Sequence, residues 1–221
     1  MIKNLTITLP FFLILVSCFA NASSVYTYSF TQDTNNGTVD ISDQLSMAIH
    51  DDGTQAVFTF YNNVGINSSI AQVYFDDSTI PLFSNIGFHQ QSAGVLFDEV
   101  GSQGGFGGPN FDTTFTSKKE GEMQNGVDQS SEWVSFFGLY NATYTFDDLI
   151  SSIENKMFNA GLHLISINQG NGTDESEKFL LSTATPPVIT PDVPNVPLPA
   201  ALWLFAPALL GFMGFRRKNK A

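Results

Sequence analysis

The chain has 221 residues, 43% of them hydrophobic, and a formal net charge of −12, which suits one domain large enough to bury a core. All 21 acidic residues precede Pro197, and only Lys118, Lys119, Lys156 and Lys178 oppose them between residue 22 and that point, so the exported part stands near −17. Such a surface repels nucleic acid and anionic lipid and argues against either as partner. Cys18 is the single cysteine, so a chain cut after residue 22 holds no disulfide, thiolate metal site or cysteine nucleophile.

Residues 1–22 read as a secretory signal. Lys3 supplies the positive start, residues 5–16 the apolar run, and Ala20-Asn21-Ala22 the small-x-small site that signal peptidase cuts, leaving Ser23 first. Leu15-Val16-Ser17-Cys18 also has the form of a lipobox, which would lipidate Cys18. Because a C-terminal span already anchors the precursor, cleavage after Ala22 is expected.

Short β segments follow. Residues 24–31 (SVYTYSFT) alternate, and Leu45, Met47 and Ile49 recur at every second position before Asp51-Asp52-Gly53. Residues 57–61 then complete a hairpin around that turn signal. Further candidate strands are 70–75, 94–97, 132–137, 141–146, 162–167 and 178–181. Many short strands separated by Gly, Asn, Asp and Ser, with 21 phenylalanines to fill a core, predict a mainly β, antiparallel sandwich.

One segment has helical spacing. Leu149, Ile150, Ile153 and Met157 predict a helix over about 146–158, opened by a Thr145–Asp148 capping box and ended by Asn159 or Gly161. Asp147 and Asp148 are then caps rather than catalysts. Residues 101–109 (GSQGGFGGP) form a glycine-rich loop without the Lys and Ser/Thr of a phosphate loop. Residues 186–199 hold six prolines and predict an extended stalk, so the expected domain is 23–185.

The tail is the most specific part of the sequence. Residues 197–215 carry no charge and, as a helix, reach about 28 Å at roughly 1.5 Å per residue, near the ~30 Å of a bilayer core. Arg216, Arg217, Lys218 and Lys220 then keep residues 216–221 cytoplasmic and place the domain across the membrane. Val196-Pro197-Leu198-Pro199-Ala200, the span at 200–215 and the Arg216-Arg217 pair resemble the PEP-CTERM sorting signal of Gram-negative bacteria, in its VPLPA variant. Leu198 stands where the namesake form has Glu, which bears on exosortase subtype. The resemblance covers 196–218 only. It implies an inner-membrane-anchored precursor facing the periplasm, an exosortase that removes the tail, release to the cell surface or exterior, and exopolysaccharide as a neighbour.

No catalytic motif is visible: a Gly-x-Ser-x-Gly elbow is absent, and His50, His89 and His163 lack the spacing of a helical zinc motif. Calcium is the most credible ion, with Asp51, Asp52, Asp76 and Asp77 as first candidates, although turn chemistry explains the same residues more simply. Tyr26, Tyr28, Tyr61, Tyr74, Trp133 and Tyr140 could form a carbohydrate-stacking platform or fill the core. The expected role is a non-enzymatic structural or adhesive surface protein. A carbohydrate- or calcium-binding module is the second reading and a secreted hydrolase the third.

Overall fold

Period-two patterning sets the strands. In the computed structural model, which describes residues 24–34, 39–100, 111–117, 125–129, 131–168, 174–183 and 187–191, β1 (Ser24–Gln32) leads into a single 3-10 turn at Ser42–Gln44. β2 (Leu45–Asp51) buries Leu45, Met47 and Ile49, and β3 (Gln55–Asn62) buries Phe58 and Phe60 against them. The expected turn joins the two: Asp52 N–H donates to Gln55 O at 3.1 Å, and Gly53 takes φ +93°, where a Cβ would be strained.

The remaining elements are β4 (Asn67–Asp76), β5 (Phe83–Gln91), β6 (Phe97–Glu99), β7 (Thr113–Ser117), β8 (Val127–Asp128), β9 (Trp133–Tyr140), α1 (Phe146–Glu154), β10 (Asn159–Asn168), β11 (Asp174–Leu181) and β12 (Val188–Pro191). All pairings are antiparallel. The hydrogen-bonded order is β5-β9-β3-β2-β1-β11-β10-β4-β7-β6, with β12 on β1 and β8 on β4. One continuous sheet therefore folds round a core and nearly closes into a barrel. Its two ends meet at residues 92–96, where Phe97 N–H donates to Gln91 Oε1 at 3.2 Å.

β1 is the corner of that sheet. Its residues Tyr26 to Ser29 pair with β2, while Phe30 to Gln32 pair with β11 on the opposite edge. β11 and β12 lie along the same edge of β1: Phe30 faces Leu181 and Thr27 faces Val188. Val188–Pro191 thus belongs to the sheet, a correction to the stalk expected from residue 186. Prolines suggested a stalk, but Pro191 closes an edge strand, where its missing N–H costs no ladder bond.

Chain order mispredicts other places as well. Asn141 to Thr145 is a turn rather than a strand, Gly94 sits in a turn at φ +98°, and the helix is shorter than 146–158. Its start is as expected: Thr145 Oγ1 accepts from Asp148 N, and the Asp148 carboxylate accepts from Thr145 N at 2.8 Å. Its end comes at Asn155. Lys156 takes the left-handed conformation at φ +58°, Lys156 N–H bonds Ile153 O, and Met157 N–H bonds Ser152 O. That reciprocal pair closes the last turn without a glycine and frees Phe158 to enter the core. Leu149, Ser152 and Ile153 are the buried face.

Phenylalanines fill the centre. Phe136 from β9 lies 4.3 Å from Phe115 on β7 and 5.7 Å from Phe75 on β4, ring centre to ring centre. Phe158 stacks on Phe58 at 5.6 Å. These contacts join the β5-β9-β3-β2 half of the sheet to the β10-β4-β7-β6 half. β4 is buried on both faces from Ser68 to Asp76, with Phe111 covering Tyr74 on its outer side.

Residues 23–192 form one compact unit. The expected signal with Ala20 and Ala22, the 101–109 loop, the expected sorting motif Val196, Pro197, Leu198, Pro199, Ala200, the expected span at 200–215 and the basic tail at 216–221 with Arg216 and Arg217 lie outside the described residues. No helix among the described residues is long and apolar enough to cross a membrane.

Candidate binding groove on the outer face

Alternation that points one row of side chains on β2, β3 and β9 into the core turns the other row to the outer face, where Val57 and Ser135 are buried and His50, Thr59, Tyr61, Trp133 and Phe137 half-buried. Register fixes which outward residues are neighbours. Tyr61 on β3 is the direct partner of Trp133 on β9, Thr59 of Ser135, and Val57 of Phe137, while His50 on β2 partners Val57. Direct partners on one face hold their Cβ atoms about 4.5–5.5 Å apart. On β5 the ladder slips between Phe88 and Gln90, so the extra residue, His89, comes to the outer face beside Gln90.

Together these residues bound a groove of about 180 Å³, lined by His50, Val57, Thr59, Tyr61, His89, Gln90, Trp133 and Ser135. His50 and His89 stand on strands three spacings apart, about 14 Å at ~4.7–4.9 Å each. The lining contains no carboxylate. Its backbone is firmly held. Ser92 locks Trp133 from both sides: Ser92 N–H donates to Trp133 O at 3.0 Å, and Trp133 N–H donates to Ser92 Oγ at 3.0 Å. Ser135 Oγ donates to Gln90 O at 3.1 Å across the β9–β5 pair. Beside the groove, Phe137 lies over Gly87, where a Cβ would come within 2.7 Å of the ring.

One polar atom of the lining residues is uncommitted. Nδ1 of His89 is buried with no hydrogen-bond partner. Burial raises the Tyr61 phenol, offset in part by its hydrogen bond with Thr59, so the hydroxyl stays protonated at neutral pH.

The six aromatic candidates separate. Only Tyr61 and Trp133 share the groove. Tyr28 and Tyr74 are buried, Tyr26 packs edge-on against Phe146 at 5.4 Å, and Tyr140 stacks on Phe83 at 5.7 Å. Sequence alternation could not distinguish them, because on a strand the same period serves an inward and an outward row. His163 also leaves the candidate set: its Nδ1 is 2.9 Å from Gln72 Oε1 on the neighbouring strand.

The four calcium candidates lie in two separate turns and are occupied there. Asp51 Oδ1 accepts from Gly53 N at 2.9 Å, and Asp52 accepts from both the backbone and the side chains of Thr54 and Gln55. Burial acts upward on Asp52, but those hydrogen bonds together hold its pKa below the usual value. Asp76 Oδ1 accepts from Ser78 N at 3.0 Å and from Ser78 Oγ. Among the described residues no group of three His, Cys, Asp or Glu is placed to hold a metal.

Asp77 behaves differently. Burial, then the nearby Asp112 carboxylate, pushes its pKa up to about 6, against the lowering effect of Phe83 N–H at 3.2 Å. A folded pKa above the unfolded value means the native state holds the proton more tightly. The contribution is fully present below about pH 4 and is lost as pH rises through 6. We expect Asp77→Asn to remove about 1–2 kcal/mol of this pH dependence, after allowance for solvent screening, and to raise stability at pH 7. Urea midpoints at pH 4.5 and 7.5 for both proteins check this; equal slopes would contradict it.

A larger hollow of about 550 Å³ lies between β1 and the 3-10 turn, with Asp33, Asp40 and Asp43 in its wall. Asp40 is committed to Ser42, and Phe30, its one aromatic, is buried in the core. Residues 35–38 and 184–186, close in sequence to its lining, lie outside the described residues. The outer-face groove is the better-built site. Comparison with protein-family models, characterised proteins and solved structures finds no match to this chain.

Proposed function

We propose that the chain is an exported surface protein whose β domain adheres by binding rather than by catalysis, and whose tail is a sorting signal cut by an exosortase. The observation that carries the binding reading is the open groove on the outer face, which gathers aromatic, imidazole, hydroxyl and amide groups without a carboxylate. A glycosidase needs two acids some ~5–10 Å apart across its cleft, and this lining supplies neither. In this reading the two halves of the sheet are the layers of a sandwich, with the phenylalanine cluster between them. The sorting reading rests on Val196 to Ala200, the uncharged span and Arg216-Arg217. Proline fixes φ, so Pro197-Leu198-Pro199 offers a processing enzyme a stiff extended segment beside the membrane.

One fractionation tests both parts. In cells that carry an exosortase, the wild type is expected without its tail, with Ser23 first, and held in the extracellular matrix fraction. Pro197→Ala with Pro199→Ala should leave the protein in the membrane at precursor size. Tail-free protein found free in the medium would remove the adhesive reading. A double variant processed like wild type would reduce residues 196–200 to a linker.

A further inference from the structure

We propose that the outer-face groove holds a neutral saccharide, one pyranose ring lying against Trp133 and Tyr61; this rests on the binding reading above. Three observations lead there. First, Tyr61 and Trp133 are direct cross-strand partners on one face, and both are only partly buried, so their rings offer adjoining apolar surfaces to solvent. A π face is electron-rich, and the C–H groups on one side of a pyranose carry the complementary partial charge. Second, the space is small. About 180 Å³ falls below the ~300–1,000 Å³ of pockets that enclose drug-sized ligands, and suits a single ring of a longer chain passing over an open surface. Third, His50, His89 and Gln90 flank the groove with groups that both donate and accept, the mixture that sugar hydroxyls require.

Charge selects the class. The exported part stands near −17, and the lining brings no lysine or arginine to offset it. A uronate or sulfated chain would be repelled over the approach. A neutral polymer would not. Calcium bridging to sugar hydroxyls has no carboxylate in the groove to hold the ion.

Of the two tryptophans, Trp203 lies in the tail, so Trp203→Phe in the full chain leaves Trp133 as the sole indole. That protein, in detergent, would be titrated with neutral oligosaccharides of glucose, mannose, galactose and N-acetylglucosamine, and with a polyuronate. The expected result is a saturable change in Trp133 emission with at least one neutral sugar and little with the polyuronate at low salt. On a glycan array Trp133→Ala and Tyr61→Ala should each weaken binding about tenfold, with Trp133→Phe intermediate and melting temperatures unchanged. Binding that survives both alanine substitutions in folded protein, or emission that responds to no neutral sugar, would overturn the inference. The same protein incubated with isolated envelope polymers separates the two levels. Retention insensitive to neutral sugar and to Trp133→Ala rejects the saccharide but keeps the adhesive reading, whereas no retention at all rejects both.

Discussion

Phe136→Ala is expected to cost about 3–5 kcal/mol, the largest loss of any single truncation in the domain. The ring is fully buried and is the meeting point of both halves of the sheet. It touches Phe60 at 5.9 Å on its own side and Phe75, Phe97 and Phe115 at 5.7, 6.1 and 4.3 Å on the other. Removing it leaves a cavity walled by other rings, each pinned by its own strand, so the site cannot collapse to fill the space. Against a total stability of roughly 5–15 kcal/mol, such a loss leaves little margin. Phe88→Ala is the matched control. That ring also meets Phe136, at 6.4 Å, but it is 40% exposed and already half in water. Its truncation should cost well under half as much. Urea denaturation followed by far-UV circular dichroism measures both; equal losses would mean that Phe136 does not join the two halves.

The β class was legible in the sequence because its driving pattern is local. Leu45-Met47-Ile49 and Val57 to Tyr61 alternate cleanly, and the Asp-Asp-Gly turn between them needs no tertiary help. β5 was not legible, and the ladder shows why. It slips between Phe83 and Asn85 and again between Phe88 and Gln90, which breaks the two-residue period that marks a strand. β12 was hidden by its prolines, since its strand character comes only from the free edge of β1. The helix start could be read because a capping box is a local contract between Thr145 and Asp148; its end could not, because Lys156 adopts a conformation that sequence assigns to glycine. The groove was half visible. Tyr61 and Trp133 stood among six aromatic candidates, but their pairing depends on the register of β3 against β9, and His89 reaches that face only through a bulge.

Gln44→Ala is expected to cost about 2–4 kcal/mol, although the residue sits in a polar run that reads as a loop. Its side chain is buried and acts as the hub of a closed network. The two hydrogens of Nε2 are shared among Asn62 Oδ1 at 2.8 Å, Ile66 O at 3.0 Å and Ser68 Oγ at 3.0 Å, while Oε1 accepts from Ile66 N at 2.9 Å. Asn62 carries the network on, donating to Ser68 O at 3.0 Å and Val127 O at 3.2 Å. The β3–β4 connection is thereby tied to the 3-10 turn before β2 and to β8. The amide comes so close to the connection that a Cβ at Gly65 would clash with Gln44 Oε1. Deleting the amide strands the buried Asn62 Oδ1, at about 1–3 kcal/mol, and unpairs the part-buried Ile66 N–H at a smaller cost. Volume and hydrogen bonding can be separated. Gln44→Met keeps most of the volume and none of the bonds, so it should be nearly as damaging as alanine. Gln44→Glu keeps the shape but cannot donate to Asn62 Oδ1 and places an unpaired charge in the same space, so it too should fall well below wild type. If Gln44→Met melted with the wild type, packing alone would account for the buried hub, and the network would be an accompaniment to the fold rather than a support of it.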